Sequence, residues 1–223
     1  MFDRHDSKHA AIHLLMPHRI KIPYRTILKS LNCDGVRGLL LLVIMILLWG
    51  IALAGPDWTM ALRYERTAIG QGEWWRFISA HGVHLGVYHL LLDSAGLLLL
   101  WALYAGELAP SLWLWVLTCA TAAIDAGLWW GEPQIQWYVG ISGVLHGVWA
   151  AGALAMGVRG DRSGWLMLVI LASKLALEHR AGVSLLDLTM PVVTNAHLYG
   201  ALGGASAVAL AAILRVAFFR RVA

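Results

Sequence analysis

The residues in this chain that could do chemistry are few and sit in apolar company. Ser142 lies between Ile141 and Gly143 in the stretch "VGISGVLHGVWAAGAL", with His146 one helical turn later. His197 opens "HLYGALGG", and His84, His89 and Asp93 are spread through "HGVHLGVYHLLLD". A hydroxyl beside an imidazole is the minimum for nucleophilic catalysis, because the imidazole takes the serine proton as the oxygen attacks. A serine at the first turn of a helix also meets unpaired backbone N–H groups and the positive end of the helix dipole, which suit the oxyanion of a tetrahedral intermediate. Gly140 and Gly143 let backbone and substrate come close at that point.

The elements that carry these residues follow from composition. The chain has 223 residues, is 59% hydrophobic and 13% charged, and holds 12 Trp. A soluble domain of this size needs more charge to cover its surface, so the expected class is an all-α membrane protein. The net charge of +4 is too small and too concentrated at one end to point to nucleic acid. Cys33 and Cys119 suggest no disulfide framework. Met1 to Arg37 is polar and mixed in charge, which reads as a tail without a cleavable signal, with a surface-lying helix around Tyr24 to Leu31.

Apolar segments fall at about Gly38–Ala54, Val87–Ala105, Leu112–Trp130, Val139–Val158, Trp165–Leu177 and Ala196–Leu214. A bilayer core takes about 20 residues, so the fifth segment is short and could be a buried or re-entrant piece. Arg4, Lys8, Arg19, Lys21, Arg25, Lys29 and Arg37 precede the first segment, which places the N-terminus in the cytoplasm. Six crossings then put Arg159, Arg162, Arg215, Arg220 and Arg221 inside as well, whereas five would put the terminal arginines outside. The expected organisation is a cytoplasmic tail over 1–35, a six-helix domain over 36–217 and a basic cytoplasmic end over 218–223. Trp74 and Trp75 suit an interfacial belt in the large outer loop, and Arg76 can reach head groups or backbone carbonyls.

With that orientation the second, fourth and sixth helices all start outside, and each carries polar groups near its start. These are His84, His89 and Asp93, then Ser142 and His146, then Asn195 and His197. Ionisable residues in membrane helices are costly and face a bundle interior or a watery cavity, so their convergence at one depth is a functional signal. Gly143, Gly147 and Ala151 form one small-residue stripe, and Ala196, Gly200 and Gly204 form another. Such stripes allow close backbone approach. If the two face each other, Ser142 and His197 meet in the first turns of parallel helices.

At this point the sequence resembles a family. "GISG" (Gly140–Gly143) is similar to the GxSG motif of rhomboid intramembrane serine proteases, and "AHLYGALGG" (Ala196–Gly204) to their AHxxGxxxG motif. "WWRFISAHGVHLGVYHLLLD" (Trp74–Asp93) resembles their first loop and second helix. Within the superfamily, "GISGVLHG" and the Lys174/Glu178 pair of "SKLALEH" look most like rhombosortases, which act on proteins bearing a glycine-glycine tail, a C-terminal membrane helix and basic residues. The resemblance implies a six-helix bundle in a bacterial inner membrane, a site facing the periplasm, membrane-anchored protein substrates and no cofactor. It implies Ser142 as nucleophile and His197 as base, a dyad without an aspartate, and His89 with position 93 and the Ser142 N–H as the oxyanion hole. The family commonly has asparagine where this chain has Asp93. An ionised carboxylate would repel an oxyanion, so Asp93 is expected to be neutral or rotated away.

Plainer readings stand beside these. His146 shares a helix face with Ser142 and is a rival base, or else a structural or cavity-lining group. His81, His84 and His89 lack the carboxylate or thiolate partners of a metal site and are expected to be structural. Lys174 and Glu178, one turn apart, read as an ion pair within a helix, or as a site recognising a substrate terminus. Trp113, Trp115, Trp129, Trp130 and Trp137 read as interface anchors, and Asp125 as a group that simply meets water. An inactive client-binding relative and a small transporter are the competing functions.

Overall fold

The computed structural model of the protein describes residues 35–181 and 192–222, with side chains described over 37–181 and 192–214. The expected surface helix around Tyr24 to Leu31, and Cys33, lie outside those residues.

The described chain is mostly helical. Helix α1 (Gly35–Leu53) is followed by α2 (Pro56–Leu62), and the two are bent by 115° at Ala54 and Gly55. A loop region follows, with β1 (Tyr64–Glu65), α3 (Arg66–Gly70), α4 (Arg76–Ser79) and one further turn at Ala80–Gly82. Next come α5 (Val87–Tyr104), α6 (Pro110–Ala126) continued by a wider turn over Gly127–Gly131, β2 (Trp137–Tyr138), α7 (Ser142–Val158), α8 (Arg162–Ala181) and α9 (Thr194–Val222). Three stretches among the described residues are long and apolar enough to cross a bilayer: Val87–Tyr104, Pro110–Gly131 and Thr194–Leu214. A fourth is counted if the bent pair is one span.

Two expected segments change their bounds. The segment from Val139 becomes helical only at Ser142, because Trp137 and Tyr138 pair antiparallel with Glu65 and Tyr64 and Gly140 takes φ +111°, a conformation that side chains disfavour. The short segment Trp165–Leu177 becomes a 20-residue helix that runs through Lys174 and Glu178 to Ala181. The charged pair satisfies itself inside the bundle and therefore does not end the helix.

Helix α7 is the axis of the bundle, packing on α5, α6, α8 and α9. Its small residues set how close they come: a β-carbon at Gly147 would stand 2.7 Å from the Gly200 carbonyl oxygen, and one at Gly204 would stand 2.0 Å from that of Gly147. The two glycine stripes do face each other. Trp113 is only 1% exposed and packs at a tilt against Trp101 with ring centroids 4.8 Å apart, so it is a core residue and not an interface anchor. Trp74, Trp75, Trp115 and Trp130 remain exposed.

The loop region is held by two arginines. Arg76 donates to the carbonyls of Met60 and Arg63 and to Glu73, the carbonyl-bonding option of the two expected for it. Arg66 donates to the carbonyls of Leu128, Trp129, Glu132 and Ile135, and its guanidinium lies 5.0 Å from the centre of the Trp129 ring. Leu128 and Trp129 lie in the turn that closes α6, where carbonyls lack helical partners, and Glu132 and Ile135 lie in the loop beyond it.

Candidate active site

The starts of α5, α7 and α9 bring His89, Ser142 and His197 to one cavity of about 590 Å³. Its walls are mainly apolar, with Asp93, His146 and Lys174 as the other charged or imidazole groups on the lining.

Ser142 is the first residue of α7, and its Oγ lies 3.0 Å from His197 Nε2. The far side of the His197 ring is also engaged: Nδ1 is 3.0 Å from Glu178 Oε2. A carboxylate only accepts, so Nδ1 carries the proton and Nε2 of the neutral ring is left to accept the Ser142 hydroxyl. Glu178 is completely buried, and its other oxygen accepts from Lys174 Nζ at 2.5 Å. Lys174 donates again, to His146 Nε2 at 2.9 Å. An ammonium has no lone pair, so His146 is neutral at Nε2 and protonated at Nδ1, which donates to the Ser142 carbonyl at 2.7 Å. The hydrogen bonds thus form a closed circuit that leaves Ser142 by its hydroxyl and returns to its carbonyl. The rings of His146 and His197 stack, 4.1 Å apart and 12° from parallel.

This geometry sorts the earlier expectations. His146 reaches the Ser142 backbone and not the hydroxyl, which His197 takes. Lys174 and Glu178 do form an ion pair within a helix, and the carboxylate is turned to His197, away from the cavity that a substrate terminus would enter. The circuit's third side chain is the feature that sequence reasoning missed. His146, Glu178 and His197 could together hold a metal ion by the spacing of their donor atoms, but the Lys174 ammonium already bonds two of the three.

On the other side of the cavity, Asp93 Oδ2 is 3.1 Å from His84 Nε2 and 3.4 Å from His89 Nε2. Asp93 is therefore neither rotated away nor facing the cavity alone; it lies between two imidazoles. His89 also sets a limit on Gly140, where a β-carbon would come within 2.9 Å of its ring. His81 bonds Asp125 at 3.2 Å, so Asp125 meets an imidazole in the bundle and not simply water. Asn195 and Tyr199 on α9 both donate to Glu132, which also accepts from Gln134.

The family model for the rhomboid domain matches residues 71–214. The chain belongs to the rhomboid family. The matched stretch takes in α4 through most of α9, and hence every residue of the circuit. Among curated proteins none matches the chain. As a rhomboid it is a multi-pass membrane protein of an intramembrane protease family, with membrane proteins as the substrate class and the lipid bilayer as its setting.

Proposed function

We propose that this rhomboid is an intramembrane serine endopeptidase in which Ser142 is the nucleophile and His197 the general base. The observation that carries the reading is the 3.0 Å approach of Ser142 Oγ to His197 Nε2 across two helices, at the wall of a cavity. His197 takes the hydroxyl proton as Oγ bonds to the scissile carbonyl carbon, then returns it to the leaving amine as the C–N bond breaks. Water, or in the rhombosortase reading a lipid head-group amine, resolves the acyl-enzyme. The developing oxyanion is met by the first-turn N–H of Ser142 and by His89, whose contact to Asp93 is long enough to yield. Gly140 keeps that approach open, since a β-carbon there would crowd His89, whereas Gly143 faces Ile124 and the start of α9 and not the cavity.

The substrates are membrane-anchored proteins with a C-terminal transmembrane tail, of the glycine-glycine sorting type that rhombosortases process. Support for this finer reading is "GISGVLHG" and the Lys174/Glu178 pair. The reading includes six crossings, both termini in the cytoplasm, a bacterial inner membrane and a site opening to the periplasm; the arginine distribution supports the orientation.

A fluorophosphonate probe tests the core of the proposal. Wild type is expected to label, while Ser142→Ala and His197→Ala stay unlabelled. Labelling that survives Ser142→Ala would overturn Ser142 as the nucleophile, and a wild type that never labels would leave a client-binding relative. Co-expression with a tail-anchored glycine-glycine client, followed by mass spectrometry of the new C-terminus, tests the substrate class.

A further inference from the structure

We infer that Glu178 is a positioning residue for His197, and that Lys174 holds Glu178 in that role, so that the site works as a serine–histidine–glutamate relay with its own counter-ion. The inference rests on the protease reading and deepens it.

The argument starts from cost. A carboxylate without any exposure, inside a bundle read as membrane-embedded, is expensive unless it is paired and hydrogen-bonded. An ion pair with Lys174 alone would meet that need through one oxygen, one turn away on the same helix. Yet the second oxygen is spent on Nδ1 of an imidazole from a different helix, 3.0 Å away. That bond fixes the tautomer: with the proton held at Nδ1, only Nε2 can accept from Ser142. Lys174 supplies the opposite charge and, through His146, ties the carboxylate to the Ser142 backbone. The stacked His146 ring also keeps the His197 ring in plane.

In the reaction the Ser142 O–H bond breaks, the Oγ–C bond forms, and the proton moves to His197 Nε2. The ring is then an imidazolium whose Nδ1–H still points at Glu178 Oε2, so charge forms beside a fixed carboxylate. When the C–N bond breaks, the Nε2 proton leaves with the amine and the ring returns to its starting tautomer. Glu178 and Lys174 gain and lose no proton.

Glu178→Gln is the sharpest variant. Glutamine keeps the shape, but its amide can offer an N–H to Nδ1, which favours the tautomer protonated at Nε2 and leaves Ser142 without an acceptor. The comparison is inactivation of the purified full-length chain by a fluorophosphonate, resolved into the maximal rate kinact and the half-saturating concentration KI. Expected for Glu178→Gln is a fall in kinact of about 10²- to 10⁴-fold, the scale of a tautomer defect in a serine triad, with KI within threefold of wild type and an unchanged melting temperature. The double variant Lys174→Met with Glu178→Gln removes both charges at once, leaves no unpaired buried ion, and is expected to show the same loss. Glu178→Gln with kinact within threefold of wild type overturns the positioning role alone. Loss of kinact that merely tracks a lower melting temperature in both variants overturns it too. A wild type that fails to label overturns the protease reading and this inference together.

Discussion

Gly143 and Gly200 meet backbone to backbone: a β-carbon at Gly200 would stand 1.9 Å from the Gly143 carbonyl oxygen. The two nearest atoms are backbone and cannot swing aside as a side chain would, so one methyl group must push α7 and α9 apart. Gly143 follows Ser142, and Gly200 lies three residues after His197, so separation acts directly on the Ser142–His197 approach. Gly200→Ala is expected to cost about 1–3 kcal/mol of stability, the scale of an overpacked core, and to reduce fluorophosphonate labelling at least tenfold. Gly204→Ala forces the same contact one turn further from Ser142, at 2.0 Å from the Gly147 carbonyl. It is expected to lower the melting temperature similarly with a smaller loss of labelling. Equal labelling in both variants would show that the site tolerates the separation.

Asp93 joins two imidazoles, and the two obvious substitutions separate its roles. Asn keeps a carbonyl that accepts from His84 or His89, so Asp93→Asn is expected to stay folded and to label within about tenfold of wild type. Ala leaves the buried His84 Nε2 without its partner, at a cost of about 1–3 kcal/mol, and removes the contact between Asp93 and His89. Asp93→Ala is therefore expected to melt lower and label more slowly than Asp93→Asn. Loss of labelling in both, with intact folding, would assign a role to the carboxylate charge itself.

Arg66 is a clamp that lysine cannot replace. Its planar guanidinium reaches four carbonyls around residues 128 to 135, and an ammonium presents no such fork. Residues Gln134 to Val139 line the cavity immediately beyond this clamp. Arg66→Lys is expected to cost about 2 kcal/mol or more, given about 1.5–3 kcal/mol for a hydrogen bond to a charged group. Hydrogen exchange should rise over 128–138 before it rises elsewhere; uniform exchange across the chain would count against a local clamp.

Asp161 lies in the exposed turn before α8, outside the membrane-spanning segments. Its carboxylate accepts from the Ser163 hydroxyl at 2.6 Å and the Ser163 N–H at 2.9 Å, and these bonds hold its pKa below the usual carboxylate range. A depressed folded-state pKa stabilises above the unfolded value and loses that contribution as pH falls through the folded value. Asp161→Ala is expected to cost about 1 kcal/mol or less at neutral pH, as for an exposed helix cap. The gap from wild type should shrink below about pH 4. A gap that is constant between pH 7 and pH 3 would exclude the cap.

The approach of Ser142 to His197 is legible in the sequence because each sits beside a small-residue stripe, and stripes of glycine announce where backbones meet. Glu178 is not legible in the same way. Its spacing from Lys174 offers a complete local explanation, an ion pair one turn long, and nothing nearby in the chain signals that the second oxygen crosses to another helix. The same holds for Asp125, whose partner His81 is 44 residues away. Trp113 misleads for a different reason: in a bundle whose exterior is as apolar as its interior, hydropathy does not separate a core tryptophan from a boundary one. The bounds of α8 were hidden by its charges, since a window that stops before Glu178 misses a helix that neutralises its lysine and glutamate within itself.

Glu132 holds Gln134 from the cavity wall and Asn195 and Tyr199 from the first turns of the helix that bears His197. Cavity wall and imidazole helix are thus moored to one carboxylate. A displacement of the wall pulls on the mooring of the helix that bears His197, and a shift of that helix is felt at the wall. The two become mechanically inseparable.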